Sequence, residues 1–175
     1  MKWSQNIWHN MANNKNNLKL VKKNTSKSAF QVAVENTDEV KNGFCAGKQA
    51  IKKTDRNKID VSDNSRLQGS LDIDGQVIAL YPEDSRWDYA LSYSDKIYYL
   101  EIHSAETSEI DKVINKVKWL KWWLKNKAIK INVLPKADHP YIWVQSGRYA
   151  ILPTAKEKMK LSMAGIVTTN LLRLK

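Results

Sequence analysis

Two runs of strand-like residues, 87–93 and 97–103, sit on either side of Ser94-Asp95-Lys96 and are followed by a long stretch of apolar positions spaced by three and four. Side chains alternate faces along a strand, so Ile97, Tyr99, Glu101 and His103 share one face while Tyr98, Leu100 and Ile102 share the other. Ser94-Asp95-Lys96 reads as a tight hairpin turn that brings the strand headed by Asp88 alongside the strand carrying Glu101. The stretch that follows is an amphipathic helix to about Lys127, with Ser108 and Asp111 as a capping box. At 3.6 residues per turn, Ile110, Val113, Ile114, Val117, Leu120 and Leu124 form its core stripe. Lys112, Lys116, Trp119 and Trp123 fall on the opposite side.

The remaining pattern predicts a helix over 38–51 with Asp38 as N-cap, strands over 71–74, 77–81 and 141–145, and turns at Asp74-Gly75 and 82–86. A basic helix over 154–164 is closed by Gly165, and 166–172 forms a terminal strand or extended segment. Residues 1–28, rich in Asn and Lys, read as an arm preceding one α/β domain over 29–175. Strands, a crossover helix and a further strand imply an α/β sandwich around a mixed sheet.

At 175 residues and 42% hydrophobic content the chain can bury a full core without a second domain. A lone Cys45 makes no internal disulfide, and residues 1–17 hold no apolar stretch long enough for a signal peptide or span, so a cytoplasmic protein with no membrane partner is expected. The formal net charge of +11 is unevenly spread: residues 1–60 carry +7, residues 61–110 carry −7 and residues 111–175 carry +11. Acids therefore gather around the two central strands, and basic surface flanks them. That is the distribution a nucleic-acid enzyme using a cation needs, although basicity alone does not separate DNA, RNA and an acidic protein partner.

One aspartate, one glutamate and one imidazole, Asp88, Glu101 and His103, can converge on a divalent cation. Two Trp rings interleaved with Lys112 and Lys116 make a surface on which bases could stack, or one that packs under the arm or a dimer partner. Asp72 and Asp74 are turn residues that could add a ligand; Glu35 and Glu39 are further acids, His9 and His139 arm and loop residues, and Cys45 a buried inert thiol. The chain contains no phosphate-cradling glycine loop, nucleotide-binding fingerprint or zinc-type Cys/His cluster.

The pattern Asp88, Glu101, His103 followed by a long helix resembles the PD-(D/E)XK nuclease superfamily, whose signature is an Asp, a variable spacer, then Glu or Asp, any residue and Lys. Gly69 to Gly75, Arg86-Trp87-Asp88-Tyr89 and Trp119-Leu120-Lys121 are similar to small bacterial members, and the resemblance covers about residues 29–175. It departs at His103, which stands where the family has Lys and lacks that residue's fixed charge at neutral pH.

The resemblance implies a restriction-endonuclease-like αβα sandwich with a central mixed sheet flanked by helices. It also implies Mg²⁺ or Mn²⁺ held by Asp88, Glu101 and His103, with these three as catalytic residues, and a helix that lends a polar group from Lys112, Asn115 or Lys116. The leading expectation is a metal-dependent phosphodiesterase acting on DNA or RNA, by analogy in defence against mobile elements. Beside it stand a catalytically degenerate fold that binds nucleic acid without cutting, and a basic interaction module or homodimer whose Trp-rich helix docks a protein.

Overall fold

The computed structural model describes residues 26–104, 109–146 and 155–175. In chain order its elements are α1 (Ala29–Glu35), a 3₁₀ turn (Asp38–Val40), β1 (Phe44–Cys45), β2 (Ile59–Val61), β3 (Leu67–Asp72), α2 (Ile73–Val77), β4 (Tyr89–Tyr93) and β5 (Lys96–Ser104). There follow α3 (Ile110–Asn126), α4 (Ile129–Asn132), β6 (Lys136–Ser146), α5 (Ala155–Ala164), β7 (Ile166–Thr169) and β8 (Leu172–Leu174).

Ser94 and Asp95 both take positive φ, 50° and 59°, which is the backbone of a two-residue turn matched to the twist of the strands it joins. This turn pins β4 antiparallel to β5 in the register Tyr93↔Lys96 to Tyr89↔Leu100. β3 extends the sheet antiparallel to β4, whereas β6 and β7 run parallel to β5, the chain crossing over through α3. The result is a six-stranded mixed sheet in the order β1-β3-β4-β5-β6-β7. Its middle strands are covered on both sides, which is why all five residues of β4 are buried.

Alternation sorts β5 as the sequence requires. Ile97 and Tyr99 join a core with α1, α2, α3, α4 and Leu161 of α5, while Leu100 and Ile102 join a second core on the opposite face. That second face is covered by Ile59 and Val61 of β2 with Leu172 and Leu174 of β8, a parallel pair that forms its own two-stranded sheet. Helix layers on both faces of the sheet were expected; among the described residues the helices cover one face and a small β layer covers the other.

Other expectations need correction. The helix expected over 38–51 is a single 3₁₀ turn followed by β1, because Phe44 and Cys45 pair with Leu71 and Ser70 of β3 instead, and Gly47 at φ +57° then turns the chain. The strand expected over 77–81 is absent: Asp72 accepts a hydrogen bond from the Gly75 N–H at 2.8 Å and caps α2 instead. Helix α1 was unread, although Ser28 with Gln31 three residues on is a capping-box pattern and Ser28 does accept from the Gln31 N–H at 3.1 Å. Gly165, at φ +78°, closes α5 as its position predicts. Residues 1–25 of the expected arm, His9 and Ser108 of the expected capping box lie outside the described residues. No described helix is long and apolar enough to cross a membrane.

A second layer over α3 decides what its far side can do. The Glu39 carboxylate accepts from the Tyr81 hydroxyl at 2.8 and 3.0 Å and from Trp123 Nε1 at 2.9 Å. The Tyr81 ring meets Trp119 edge-on at 5.6 Å, and Trp119 stacks on Trp123 at 6.0 Å. Removing one acceptor would leave the half-buried Tyr81 hydroxyl and the buried Trp123 Nε1 without their partner. Glu39→Ala is therefore expected to lower stability by about 1–3 kcal/mol, and Glu39→Gln, which keeps a carbonyl acceptor, by less. Urea denaturation midpoints check the order.

Candidate acid–lysine–histidine site

The β4–β5 ladder stops at Tyr89↔Leu100, and one residue further the side chains take over its bonds. Glu101 Oε2 accepts from the Asp88 N–H at 3.3 Å, and Asp88 Oδ2 accepts from the Ile102 N–H at 3.0 Å. The Asp88 carbonyl is fixed in turn by the N–H groups of Ile73 and Asp74 at the start of α2. Both carboxylates face α3 as a result. From that helix Lys116 reaches down between them, its Nζ donating to Asp88 Oδ1 at 3.1 Å and to Glu101 Oε1.

His103 completes the group from the next position on the same strand face. Its ring stacks on Trp143 at 5.2 Å, and Trp143 lies opposite Glu101 in the β5–β6 register. Nδ1 is 3.6 Å from Glu101 Oε1, too long for a hydrogen bond, and it has no hydrogen-bond partner; Nε2 is 3.7 Å from Glu109 Oε2. The Glu101 side chain is 1% exposed, against 21% for Asp88, 26% for Lys116 and 27% for His103. The site is thus a dry carboxyl at the floor with three groups opening toward solvent above it.

Burial pushes the Glu101 carboxyl up to about 8, and the Asp88 charge adds to this while Lys116 pulls the other way. Burial also opposes the charge on Lys116, but Glu101 and then Asp88 outweigh it and raise that pKa. The two directions belong to one interacting pair, because Lys116 is raised by the Glu101 charge while burial and the Asp88 charge work against that charge. Near neutrality burial and Asp88 favour a proton on Glu101, which leaves the Lys116 ammonium facing the Asp88 carboxylate. His103 is held below its ordinary range, first by burial and then by the Lys116 charge, and is a neutral imidazole at pH 7.

Asp88, Glu101 and His103 are therefore neighbours on one sheet face, as strand parity predicts. The donor types suit a hard divalent cation: two carboxylate oxygens aim at one point, and a buried imidazole nitrogen beside them has no other hydrogen bond. That point is held by the Lys116 ammonium, and among the described residues no three His, Cys, Asp or Glu side chains form a ready metal cluster. A cation could be held by Asp88 and Glu101 only if Lys116 withdrew.

The expected base-stacking face does not form. Trp119 is 8% exposed and Trp123 fully buried under Tyr81 and Glu39, while Lys116 turns into the acids. Lys112 is exposed and paired with Glu109 at 2.8 Å, and Asn115 is exposed. A helical wheel drawn for one buried stripe cannot register a second covering layer from residues 39 and 81. Asp74 pairs with Arg86 at 2.7 Å, Glu35 with Lys27 at 2.5 Å, His139 is exposed, and Cys45 is a half-buried free thiol rather than a fully buried one. Of Lys112, Asn115 and Lys116, the three candidates for a polar group lent by the helix, Lys116 is the one that reaches the acids, and its place one turn before Leu120, near the core stripe, is the signal that it points back toward the sheet. No family model, curated protein or solved structure matches the chain.

Because Glu101 binds its proton more tightly folded than at its ordinary value of 4.5, its contribution to stability is lost as pH rises toward about 8. From pH 6.5 to 8 the wild type should lose up to about 1.4 kcal/mol per pH unit relative to Glu101→Gln. Lys116 and His103 do not mask this, since the shift of the first acts above its ordinary range and that of the second below 6.5. Melting curves of the two proteins that stay parallel across that window would contradict the protonated Glu101.

Proposed function

We propose that this chain is a Mg²⁺- or Mn²⁺-dependent phosphodiesterase acting on DNA or RNA, built on a restriction-endonuclease-like core. The observation that carries the reading is the convergence of the Asp88 and Glu101 carboxylates on one cation position, with His103 beside them and Lys116 supplied by the following helix. Three antiparallel strands, a crossover helix and a parallel fourth strand agree with the arrangement that the resemblance implies.

A divalent cation, when bound, polarises a scissile phosphate and makes a water more acidic. Asp88 and Glu101 would hold it, Glu101 giving up its proton on doing so. Lys116, displaced from between the acids, would offer the fixed positive charge that His103 lacks, positioned for the phosphate oxygens. His103 is neutral in the working range, so its Nδ1 can accept a proton from the attacking water. The ring is held in one orientation by its stack on Trp143.

One specific observation favours a second reading, a degenerate core that binds nucleic acid without cutting it: Lys116 closes the acid pair by donating to both Asp88 Oδ1 and Glu101 Oε1. The protein-docking reading loses its main support, because two of the Trp rings it relied on are core residues.

Plasmid DNA, single-stranded DNA and RNA incubated with the full chain decide between the first two. Cleavage is expected with Mg²⁺ or Mn²⁺ and not with chelator, and is abolished by Asp88→Asn or Glu101→Gln. Lys116→Ala should lower the rate about 10²- to 10³-fold. At saturating cation the rate should hold through pH 6.5 and fall only at lower pH, because burial keeps His103 neutral there, whereas at limiting cation it should fall as pH drops below about 8, because the Glu101 proton competes with the cation. Cleavage that survives the Asp88 and Glu101 changes would put the chemistry elsewhere, and no cleavage of any form would leave the binding reading.

A further inference from the structure

We propose that Trp122, flanked by Lys118 and Lys125, is a stacking platform for an unpaired base, which makes single-stranded nucleic acid the ligand class; this rests on the nucleic-acid reading above. Trp122 is 45% exposed, whereas the other described tryptophans, Trp87, Trp119, Trp123 and Trp143, are all buried. Trp122 thus leaves nearly half of its surface to solvent on a helix whose neighbouring Trp residues are core.

The ring is nonetheless held. Tyr81 meets Trp122 edge-to-face at 5.9 Å while its hydroxyl is tied to Glu39. The loop behind it is locked by Arg86, whose guanidinium donates to the carbonyls of Tyr81, Pro82 and Asp84 and pairs with Asp74. A platform held in place before binding loses little side-chain entropy when a base lands on it. An unanchored surface Trp would lose more.

The surroundings select the ligand. Lys118 lies four residues before Trp122 and Lys125 three after, so both are its surface neighbours on the helix. Among the described residues the ion pairs of α3 belong to Asp111, Lys112 and Lys116, leaving Lys118 and Lys125 exposed without a carboxylate. Aromatic surface between two unpaired cations matches a base between two phosphates. Duplex bases are stacked on each other and cannot reach a ring on a helix surface, whereas unpaired bases can. Lys116 lies six residues away, about 9 Å along the axis and about 120° around it, so the platform is a place separate from the acid site.

The test is binding of the full chain, in chelator so that cleavage plays no part, to three ligands of about twelve nucleotides: oligothymidylate, an abasic strand with the same phosphates, and a duplex. Trp122→Ala is expected to weaken oligothymidylate binding about 5- to 150-fold and to change the other two by less than about twofold. Trp122→Phe should keep most of the affinity. Should the alanine variant fail to fold, Trp122→Leu, which covers Tyr81 without an aromatic face, gives the same comparison. Lys118→Ala with Lys125→Ala should weaken the oligothymidylate and the abasic strand alike and lower the single-strand salt slope by about 0.7 per lost phosphate contact. Unchanged oligothymidylate affinity in Trp122→Ala, or an equal loss on the abasic strand, overturns the platform while leaving nucleic-acid binding intact. A wild type that binds none of the three overturns the nucleic-acid reading and the platform together.

Discussion

A glutamate with almost no exposed surface, at the centre of a mixed sheet, sets the terms for what surrounds it. Moving an ionised carboxylate out of water costs several kcal/mol unless it is paired and hydrogen-bonded, or unless it takes up a proton. Glu101 uses all three routes: the Asp88 N–H, the Lys116 ammonium, and a pKa raised to about 8. Each route constrains a different element. The Asp88 contact fixes how β4 enters the sheet, and Lys116 fixes the rotation of α3 about its axis as firmly as the apolar stripe does. Losing Lys116 would leave an acid pair facing itself in a dry site.

The same constraint links stability to function. A cluster that holds an extra proton near neutrality is one that a divalent cation can compete for, because a cation replaces both the Glu101 proton and the Lys116 ammonium. On the proposed function, the ion pair and a bound cation would be alternative occupancies of one place. In the first, the protein is a closed, charge-balanced fold; in the second, Lys116 would be free to face a phosphate. His103 stays outside this exchange, since its ring is set by Trp143 rather than by the acids.

How much of this could be read from residues alone depends on how local each rule is. The face shared by Glu101 and His103 follows from period-two alternation, and the approach of Asp88 follows from a two-residue turn; both rules span a dozen residues and both held. The helix over 38–51 and the strand over 77–81 failed where pairing of Phe44 and Cys45 with β3 and an aspartate cap overrode apolar spacing. Trp119 and Trp123 were misread for a longer-range reason. Their cover comes from Glu39 and Tyr81, tens of residues upstream, and no periodicity within the helix carries that information. Lys116 was legible as a helix residue near the site, but its bridging of two carboxylates needed the sheet and helix in register. Trp122, one position from a buried neighbour, went unremarked because exposure is decided by the same distant layer.

The central claim is that the space between Asp88 and Glu101 is a cation position which Lys116 holds until a metal takes it. Crystals of the full chain grown with chelator and then soaked in Mn²⁺, with anomalous difference maps from both, test it without reference to any substrate. The account predicts Lys116 Nζ between the two carboxylates in the electron density of the chelator crystal, whose anomalous map is flat there. In the second it predicts an anomalous peak within coordination distance of Asp88 Oδ1 and Glu101 Oε1, with Lys116 swung away. Lys116 still bridging the two acids after the soak, with no anomalous peak beside them, would contradict it.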